Sequence, residues 1–465
     1  MFKAQEYQSR RKQLSTEMSS GLLLFMGNND SPMNYFDNAY HFRQDSTFLY
    51  YFGINEAKLV AVIDIDENKT ILFGDEMTID EIVWMGRQQT LAEKAFLSGI
   101  EEVRPSADLY DYIFKVLKNN RPVHYLPPYR ADNKIKLAEL LSVSIQAISG
   151  GASVPFIKAV VKQRSVKSET ELLQLDRASE ISADMHLLAM KMVKQGMTEG
   201  QIAAAVQQVA VAAGGNLAYP VILTKNGQFL HNHYHGNILR AGDLVLNDSG
   251  AETAMGYAGD LTRTFPVSKK FTTKQREIYD VVLNAYNTAV GALKPGVRYI
   301  DVHYTSCLAL AEGLKSLGFM KGDMNEAVSR GAHALFFQCG TGHMMGLDVH
   351  DMEDLGEQYV GYTDELKKNT TEFGLKSLRL GKALETGYVF TIEPGLYFIP
   401  ELTKIWQAEK KFTEFINYDK VIAYNDFGGI RVEDDYVITG DSYRKLGKRL
   451  AITAEEVEQI REESV

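Results

Sequence analysis

Acidic side chains beside apolar, strand-like segments constrain the fold of this chain more than any other feature. Four carboxylates and one histidine stand in such contexts: Asp248, Asp260, His343, Glu393 and Glu433. Four carboxylates cancel the four positive charges of two divalent ions, and an imidazole adds a neutral nitrogen. A water bridging two such ions loses its proton near neutral pH and becomes a nucleophile. The sequence therefore predicts a fold that gathers these residues into a dinuclear hydrolytic site.

Two of the acids belong to neighbouring predicted strands. The apolar segment 244–248 ends in Asp248. Residues 256–265 form a turn that carries Asp260 and continues into a second strand. Facing side chains on adjacent antiparallel strands lie about 5 Å apart, and two aspartates there can grip ions about 3.5–4 Å apart. Either aspartate alone would be interpreted as a turn cap, but the pair favours a metal site.

The histidine lies in the glycine-rich segment 340–350. Glycines let the backbone approach whatever His343 contacts. His343 and His350 are seven residues apart, an odd spacing that would place them on opposite faces of one straight strand. A bend must intervene if both reach one site. The GxGxxxG spacing differs from the dinucleotide fingerprint, which disfavours a phosphate loop.

The two glutamates also adjoin predicted strands. Glu393 ends an apolar strand before a Pro-Gly turn, and Arg431 and Glu433 share one face of a later strand. We interpret Asp434 and Asp435 as solvated or turn acids.

Three further histidines alternate along residues 231–235. On one strand, His231, His233 and His235 would share a face, so a separate mononuclear zinc site is one interpretation. The alternative for His233 and His235 is that they are ordinary polar residues.

A chain of 465 residues is too long for one ordinary core, and two domains are expected. We predict a mixed α/β domain over 1–165 and a second domain over 166–465. In the first, the predicted strands are residues 22–26, 48–52, 59–64 and 70–73, the last two forming a hairpin. In the second, helices with capping boxes at Ser168, Thr198 and Thr272 alternate with strands in two similar rounds, which predicts an internal repeat.

Charge and cysteine content narrow the class of protein. A net charge of −10 disfavours nucleic acid or an anionic membrane as the main partner, because both need a basic surface. The two cysteines form no CxxC, and so few thiols favour the reducing cytoplasm. No signal peptide and no apolar run approaching the roughly 20 residues of a membrane span is predicted.

Four segments resemble, in sequence order, the metal motifs of the aminopeptidase P and prolidase family. They are DSG…GYAGDLTRTF, GTGHMMGLDVH, TIEPGLYF and GIRVEDDYVIT. The likeness covers about 165–465, and the first domain resembles the N-terminal domain of that family through residues 41–48 and 81–87. The resemblance implies an α+β fold: a mixed α/β N-terminal domain, then a "pita-bread" metallopeptidase domain with an internal pseudo-twofold repeat.

The resemblance also implies how the two ions would be held. Asp248 would bind one ion and Asp260 would bridge both. His343 and Glu393 would bind the second ion, and Glu433 would bridge again. This oxygen-rich set suits Mn²⁺ over metals that prefer softer ligands, and the family resemblance implies Mn²⁺ as well.

The implied activity is Xaa-Pro aminopeptidase, acting on peptides with proline at the second position. Glu393 would accept the water proton and pass it on, and His350 would stabilise the oxyanion. His231 and Arg431 would orient the substrate. Proline lacks an N–H and has a fixed φ, so such bonds need a dedicated site. The family also implies a homodimer or homotetramer.

Other members of the fold class supply the alternatives. An Xaa-Pro dipeptidase (prolidase) would cut dipeptides only; the segment 81–87, with Trp84 as a candidate to close over longer peptides, favours the aminopeptidase. A non-catalytic binding protein would lack metal acids, and methionine aminopeptidase would lack the large first domain.

The chain departs from the family pattern at two points. Cys339 stands where many members have a histidine, and we interpret it as a small buried thiol. The interval between Asp248 and Asp260 is one residue longer than usual, which an extra loop residue explains.

Overall fold

The computed structural model describes residues 1–463, and the chain divides into two compact units. The first comprises Met1–Arg164 with Met352–Tyr359, and the second comprises Ser165–Asp351 and the chain from Val360 onward. Both units combine helices and sheets. In the part of the chain described, no helix is both long and apolar enough to cross a membrane.

The N-terminal part of the chain forms one sheet with helices around it. Its strands are β1 Leu22–Met26, β2 Val60–Asp64, β3 Lys69–Phe73, β4 Glu102–Arg104 and β5 Val123–Tyr125. Its helices are α1 Ala4–Glu17, α2 Ser46–Phe52, α3 Ile79–Met85, α4 Leu91–Leu97, α5 Asp108–Lys118, α6 Ala131–Leu141, α7 Ile145–Gly150 and α8 Val154–Ser165.

The sheet is mixed, with strand order β4-β3-β2-β1-β5. β1, β2 and β3 pair antiparallel, whereas β4 and β5 add parallel at the two edges. Apolar residues of the central strands pack against α5 and α6 in one core. The predicted hairpin over 59–64 and 70–73 is present as β2 and β3.

The predicted strand at 48–52 is wrong, because these residues belong to helix α2. Asp45 caps its start by accepting a hydrogen bond from the backbone N–H of Phe48, and Gly53 ends it in the left-handed conformation. Every residue of α2 is buried. A helix buried on all sides has no polar face, so its apolar run looks like a strand in the sequence.

The remainder of the chain is built from longer helices and short strands. Its helices are α9 Glu169–Met192, α10 Glu199–Ala212, α11 Thr273–Gly291, α12 Tyr299–Ser316, α13 Met324–Ser329, α14 Glu357–Gly361, α15 Pro400–Ala408, α16 Tyr418–Ile422 and α17 Ala454–Glu463, with 3₁₀ helices at Ala332–Leu335 and Glu353–Leu355. Its strands are β6 Asn216–Leu217, β7 Ile222–Thr224, β8 Leu244–Asp248, β9 Ala251–Glu252, β10 Thr262–Pro266, β11 Val389–Ile392, β12 Gly395–Tyr397, β13 Gly429–Arg431, β14 Asp434–Ile438 and β15 Tyr443–Lys445.

Two rounds of paired helices followed by strands are present, as the sequence predicted. α9 packs on α10 before β6 to β10, and α11 packs on α12 before β11 to β15. All three predicted capping boxes form. The strands make sheets of order β10-β8-β7, β11-β14-β15, β12-β13 and β6-β9. An isolated bridge between Thr262 and Glu433 joins the strands of the two rounds.

The interpretation of Asp434 and Asp435 as solvated or turn acids is wrong. Both are fully buried on β14. Asp434 accepts hydrogen bonds from the Arg263 guanidinium, and Asp435 accepts from the Ser179 hydroxyl and the backbone N–H of Asp260. Their partners come from distant parts of the chain, which adjacent residues do not reveal.

Candidate metal centre

The sheet β7-β8-β10 positions the two aspartates. Asp248, the last residue of β8, lies opposite Thr262 on β10 and Ile222 on β7. Asp260 stands two residues before β10 begins. The Tyr219 hydroxyl lies 2.7 Å from Oδ1 of Asp248 and 2.5 Å from Oδ1 of Asp260, so one phenol contacts both carboxylates and shares its single proton between them.

Strand β11 positions the histidine and the first glutamate. The segment 341–345 runs beside β11, with hydrogen bonds from the backbone N–H of Thr391 to the His343 carbonyl (3.0 Å) and from that of Glu393 to the Thr341 carbonyl (2.7 Å). His343 Nδ1 lies 3.0 Å from the Met344 carbonyl, to which it donates. In the neutral ring Nε2 therefore carries the lone pair; this atom lies 3.3 Å from Asp260 Oδ2 and 3.6 Å from Glu393 Oε1.

Glu433, which follows β13 in the second round of strands, reaches the same group of side chains. Its backbone N–H donates to the Thr262 carbonyl (3.1 Å), and its Oε2 accepts from the Thr262 hydroxyl (2.6 Å). Asp260, His343 and Glu433 each present one ligand atom within 4.8 Å of the others. All eight residues that the sequence singled out as ligands or catalytic groups line one cavity of about 190 Å³.

Burial of so many acids in one cavity sets its electrostatics. Burial raises the pKa of Asp248, raises that of Glu393 to about 7, and raises that of Glu433 well above its usual value. Neighbouring carboxylates add to each shift. Buried carboxylates ionise together only when cations compensate them. A set of buried carboxylate oxygens around one buried imidazole nitrogen is thus chemically suited to divalent ions.

Arg431 is one of two arginines that line this acidic cavity, the other being Arg379. Its NH1 donates to the Tyr397 hydroxyl at 2.9 Å, its Nε to the Thr262 hydroxyl at 3.1 Å, and its NH2 pairs with Asp248. These contacts hold the Asp248 carboxylate in place and supply part of the missing positive charge.

The remaining histidines differ in whether they reach the acidic cavity. The His350 ring is centred 4.3 Å from the His343 ring, because the chain bends between them as their spacing required. His231 and His233 line the cavity, whereas His235 does not. Burial, with the nearby Arg431 charge, lowers the pKa of His231.

The separate zinc site at residues 231–235 is not formed. This segment is not a strand, so its three histidines lack a common face. Within residues 1–463, none of them belongs to a group of side chains able to share a metal ion.

Tyr219 and Thr262 are site residues that the sequence did not predict. Each touches two elements of the site, yet neither stands in a distinctive local pattern. Thr262 does alternate with Thr264 on a predicted strand, but this pattern is common to many half-buried strands.

Family models match most of the chain. Residues 174–440 match the model described as metallopeptidase family M24, and residues 7–125 match the aminopeptidase P N-terminal domain.

Named relatives match nearly the full length. Xaa-Pro aminopeptidase of Escherichia coli K12 is 31% identical over 98% of this chain and 97% of its own. The human Xaa-Pro dipeptidase is 30% identical over 95% and 88%. Among solved structures, zinc-substituted E. coli aminopeptidase P in complex with product has a TM-score of 0.81 at 30% identity, covering 99% of this chain and 98% of that one. Proline aminopeptidase P II from Yersinia pestis has the same TM-score at 29% identity, covering 99% and 100%.

Proposed function

Because the chain belongs to metallopeptidase family M24, we propose that it is an Mn²⁺-dependent Xaa-Pro aminopeptidase. The observation that carries the proposal is the convergence of Asp248, Asp260, His343, Glu393 and Glu433 on one buried cavity, with His343 Nε2 facing carboxylate oxygens.

These five side chains would hold two divalent ions. When bound, the ions would polarise the peptide carbonyl and lower the pKa of the attacking water. Oxygen ligands outnumber nitrogen in the set, which supports Mn²⁺ as the occupant. The Thr262 hydroxyl would fix the Glu433 carboxylate, and Tyr219 would fix both aspartates.

The other cavity residues would serve in proton transfer, oxyanion stabilisation and substrate orientation. Glu393 would take the proton of the attacking water and deliver it to the proline nitrogen as the bond breaks. His350 would donate a hydrogen bond to the developing oxyanion. His231 would orient the peptide. Arg431 would orient substrate and, through its pairing with Asp248, keep that carboxylate aligned.

Two observations favour an aminopeptidase over a dipeptidase. The E. coli relative matches this chain from end to end in both sequence and structure. The Trp84 side chain is 86% exposed, so packing within its own unit does not explain this large aromatic. Its exposure supports the role in closing over longer peptides, which only an aminopeptidase would need. Prolidase activity is the second candidate, since the human dipeptidase is almost as similar.

Paired peptides test the specificity. The Mn²⁺-loaded protein should release the N-terminal residue from an Xaa-Pro-Yaa tripeptide, and the matched Xaa-Ala-Yaa peptide should resist. Cleavage of Xaa-Pro dipeptides alone would make the protein a prolidase. No cleavage by any metal-loaded form, with no difference from Asp260→Asn, would refute peptidase function.

Three further proposals accompany this one. We propose that residues 166–465 form the catalytic domain behind an N-terminal domain of 1–165, that the protein works in the cytoplasm, and that it assembles as a homodimer or homotetramer. Light scattering on the purified protein would report a single subunit mass if the assembly proposal is wrong.

A further inference from the structure

A second cluster of metal-binding side chains lies apart from the cavity described above. His303 and Cys307 stand four residues apart on α12, and His333 belongs to the 3₁₀ helix Ala332–Leu335. Residues four apart share one face of a helix. One ligand atom from each of the three lies within 4.8 Å of the others. None of the three lines the acidic cavity.

His333 is the unusual member of this cluster. Its side chain is buried, with 4% of the residue exposed, yet within residues 1–463 neither ring nitrogen has a hydrogen-bond partner. Buried polar groups without partners are rare, and such groups are commonly satisfied by a bound ion or an ordered water. Because burial lowers the pKa of His333 to about 4, its imidazole is neutral and offers a lone pair.

The other two side chains lie close enough to share one ion once the Cys307 sulfur, 3.5 Å from Nε2 and 3.9 Å from Nδ1 of His303, turns toward the Nε2 lone pair. His303 Nδ1 lies 2.9 Å from the Thr341 hydroxyl, and its Nε2 lies 3.5 Å from the Cys307 sulfur. In a tetrahedral zinc site, bonds of about 2.0 Å to nitrogen and 2.3 Å to sulfur separate those two atoms by about 3.5 Å. A metal-binding histidine is oriented by a hydrogen-bond partner on its far ring nitrogen, and the Thr341 hydroxyl takes that place for His303.

We propose that His303, Cys307 and His333 bind one Zn²⁺ ion, at a site distinct from the oxygen-rich centre. A thiolate with two imidazoles is a donor set for zinc, whereas carboxylates favour harder ions. On binding, the S–H bond of Cys307 breaks, its proton leaves to solvent, and the Zn–S bond forms. Water completes the tetrahedron. Burial raises the pKa of Cys307, so this proton stays on sulfur until the metal displaces it.

The site would brace the segment that carries His343. Thr341, which touches His303 through its hydroxyl, also accepts the backbone N–H of Glu393 through its carbonyl. Zinc would therefore tie α12 and the 3₁₀ helix to the backbone that presents two proposed ligands of the other centre.

Cobalt titration of the metal-stripped, full-length protein tests the site. Only a cysteine ligand gives a near-ultraviolet thiolate-to-cobalt charge-transfer band, and the oxygen-rich centre contributes none. We expect this band to reach its plateau within about three equivalents of Co²⁺ per chain, since the oxygen-rich centre can take up two of them, and to disappear when Zn²⁺, the stronger binder, is added. Absence of the band, or failure of Zn²⁺ to displace Co²⁺, would overturn the proposal.

Variants identify which thiol is responsible. Cys307→Ser should lose the band, whereas Cys339→Ser, which removes the thiol lining the acidic cavity, should retain it. Thr341→Val should weaken Co²⁺ binding at this site about 10- to 100-fold. The opposite pattern for the two cysteines would place the sulfur ligand in the acidic cavity and refute the site.

Two more variants test whether His333 is a ligand and whether the zinc site is independent of the acidic centre. If Cys307→Ser does not fold, His333→Asn keeps the thiol and should still abolish tight Co²⁺ binding; unchanged binding there rejects His333 as a ligand. Asp260→Asn disables the acidic centre and should retain the band. The zinc proposal is therefore tested separately from the peptidase proposal.

Discussion

At the scale of single residues, a few side chains hold the candidate centre together without belonging to any of its sequence motifs. The Tyr219 hydroxyl contacts both aspartates, and the Thr262 hydroxyl contacts Glu433 and Arg431. Burial raises the pKa of Tyr219 well above its usual value, so it remains a phenol. Such residues set the orientation of metal ligands, and their removal weakens metal sites.

Tyr219→Phe removes only this hydroxyl and keeps the ring. We expect the affinity of the acidic centre for Mn²⁺ to fall about 10- to 100-fold, because both aspartates lose the group that aligns them. A chelator-competition titration measures this. Tyr35→Phe, at a tyrosine that is 63% exposed, is the matched control and should bind as the parent does. Equal affinity in the two variants would contradict the role.

His186 makes stability depend on pH. It is fully buried between the Ser249 carbonyl, 3.0 Å from Nε2, and the Asn247 amide, 3.1 Å from Nδ1, which suits a neutral ring. Burial lowers its pKa from 6.5 to about 4. The unfolded chain therefore binds an extra proton between pH 4 and 6.5, and stability falls as the pH drops through this window.

His186→Gln removes the side chain that binds the extra proton in the unfolded chain, so it should make stability depend less on pH. The slope of unfolding free energy against pH, taken from denaturant titrations between pH 4.5 and 6, should decrease by about 1.1 kcal/mol per pH unit relative to the parent. An unchanged slope would mean that His186 is already protonated in the fold.

At the scale of elements, the sequence predicted helix starts correctly where the hydrogen bonds that define them are local. Capping boxes link residues three apart, so Ser168, Thr198 and Thr272 marked true helix starts. The apolar run at 48–52 failed for the opposite reason. Whether it forms a strand or a helix depends on what surrounds it, and the chain surrounds it on every side.

The capping box of α11 provides a test at this scale. The exposed Thr272 accepts the Gln275 backbone N–H at 3.2 Å, and Gln275 accepts that of Thr272 at 2.9 Å. Thr272→Ala should destabilise the protein by about 1 kcal/mol, whereas Thr272→Ser, which keeps the hydroxyl, should lose much less. Thermal unfolding of the two variants compares them, and equal losses would argue against the cap.

At the scale of the whole molecule, a buried charge network joins distant segments of the second unit. Asp434 on β14 pairs with Arg263 on β10 at 2.9 Å and with Lys445 on β15 at 2.6 Å, and it accepts the Tyr286 hydroxyl of α11 at 2.5 Å. The Arg263 and Asp434 side chains are both fully buried. Their mutual neutralisation is what permits either charge in the core.

Asp434→Asn keeps the shape and removes the negative charge. We expect the free energy of unfolding to fall by about 3–5 kcal/mol, because two cations lose their partner. The exposed Asp441→Asn makes the same change at the surface and should alter stability by less than about 0.5 kcal/mol. Denaturant titration compares them; a small loss for Asp434→Asn would show that water or another acid compensates Arg263.

The sequence by itself determined the fold class, the two rounds of helices and strands, and the family, because periodicity, caps and ordered motifs are short-range patterns. It also singled out eight of the residues that line one cavity. Tertiary structure alone decided the helix at 48–52, the burial of Asp434 and Asp435, and the supporting hydroxyls of Tyr219 and Thr262. It alone assembled His303, Cys307 and His333. The physical reason is separation along the chain: Thr262 and Glu433 meet across 171 residues, and only the folded backbone sets such distances.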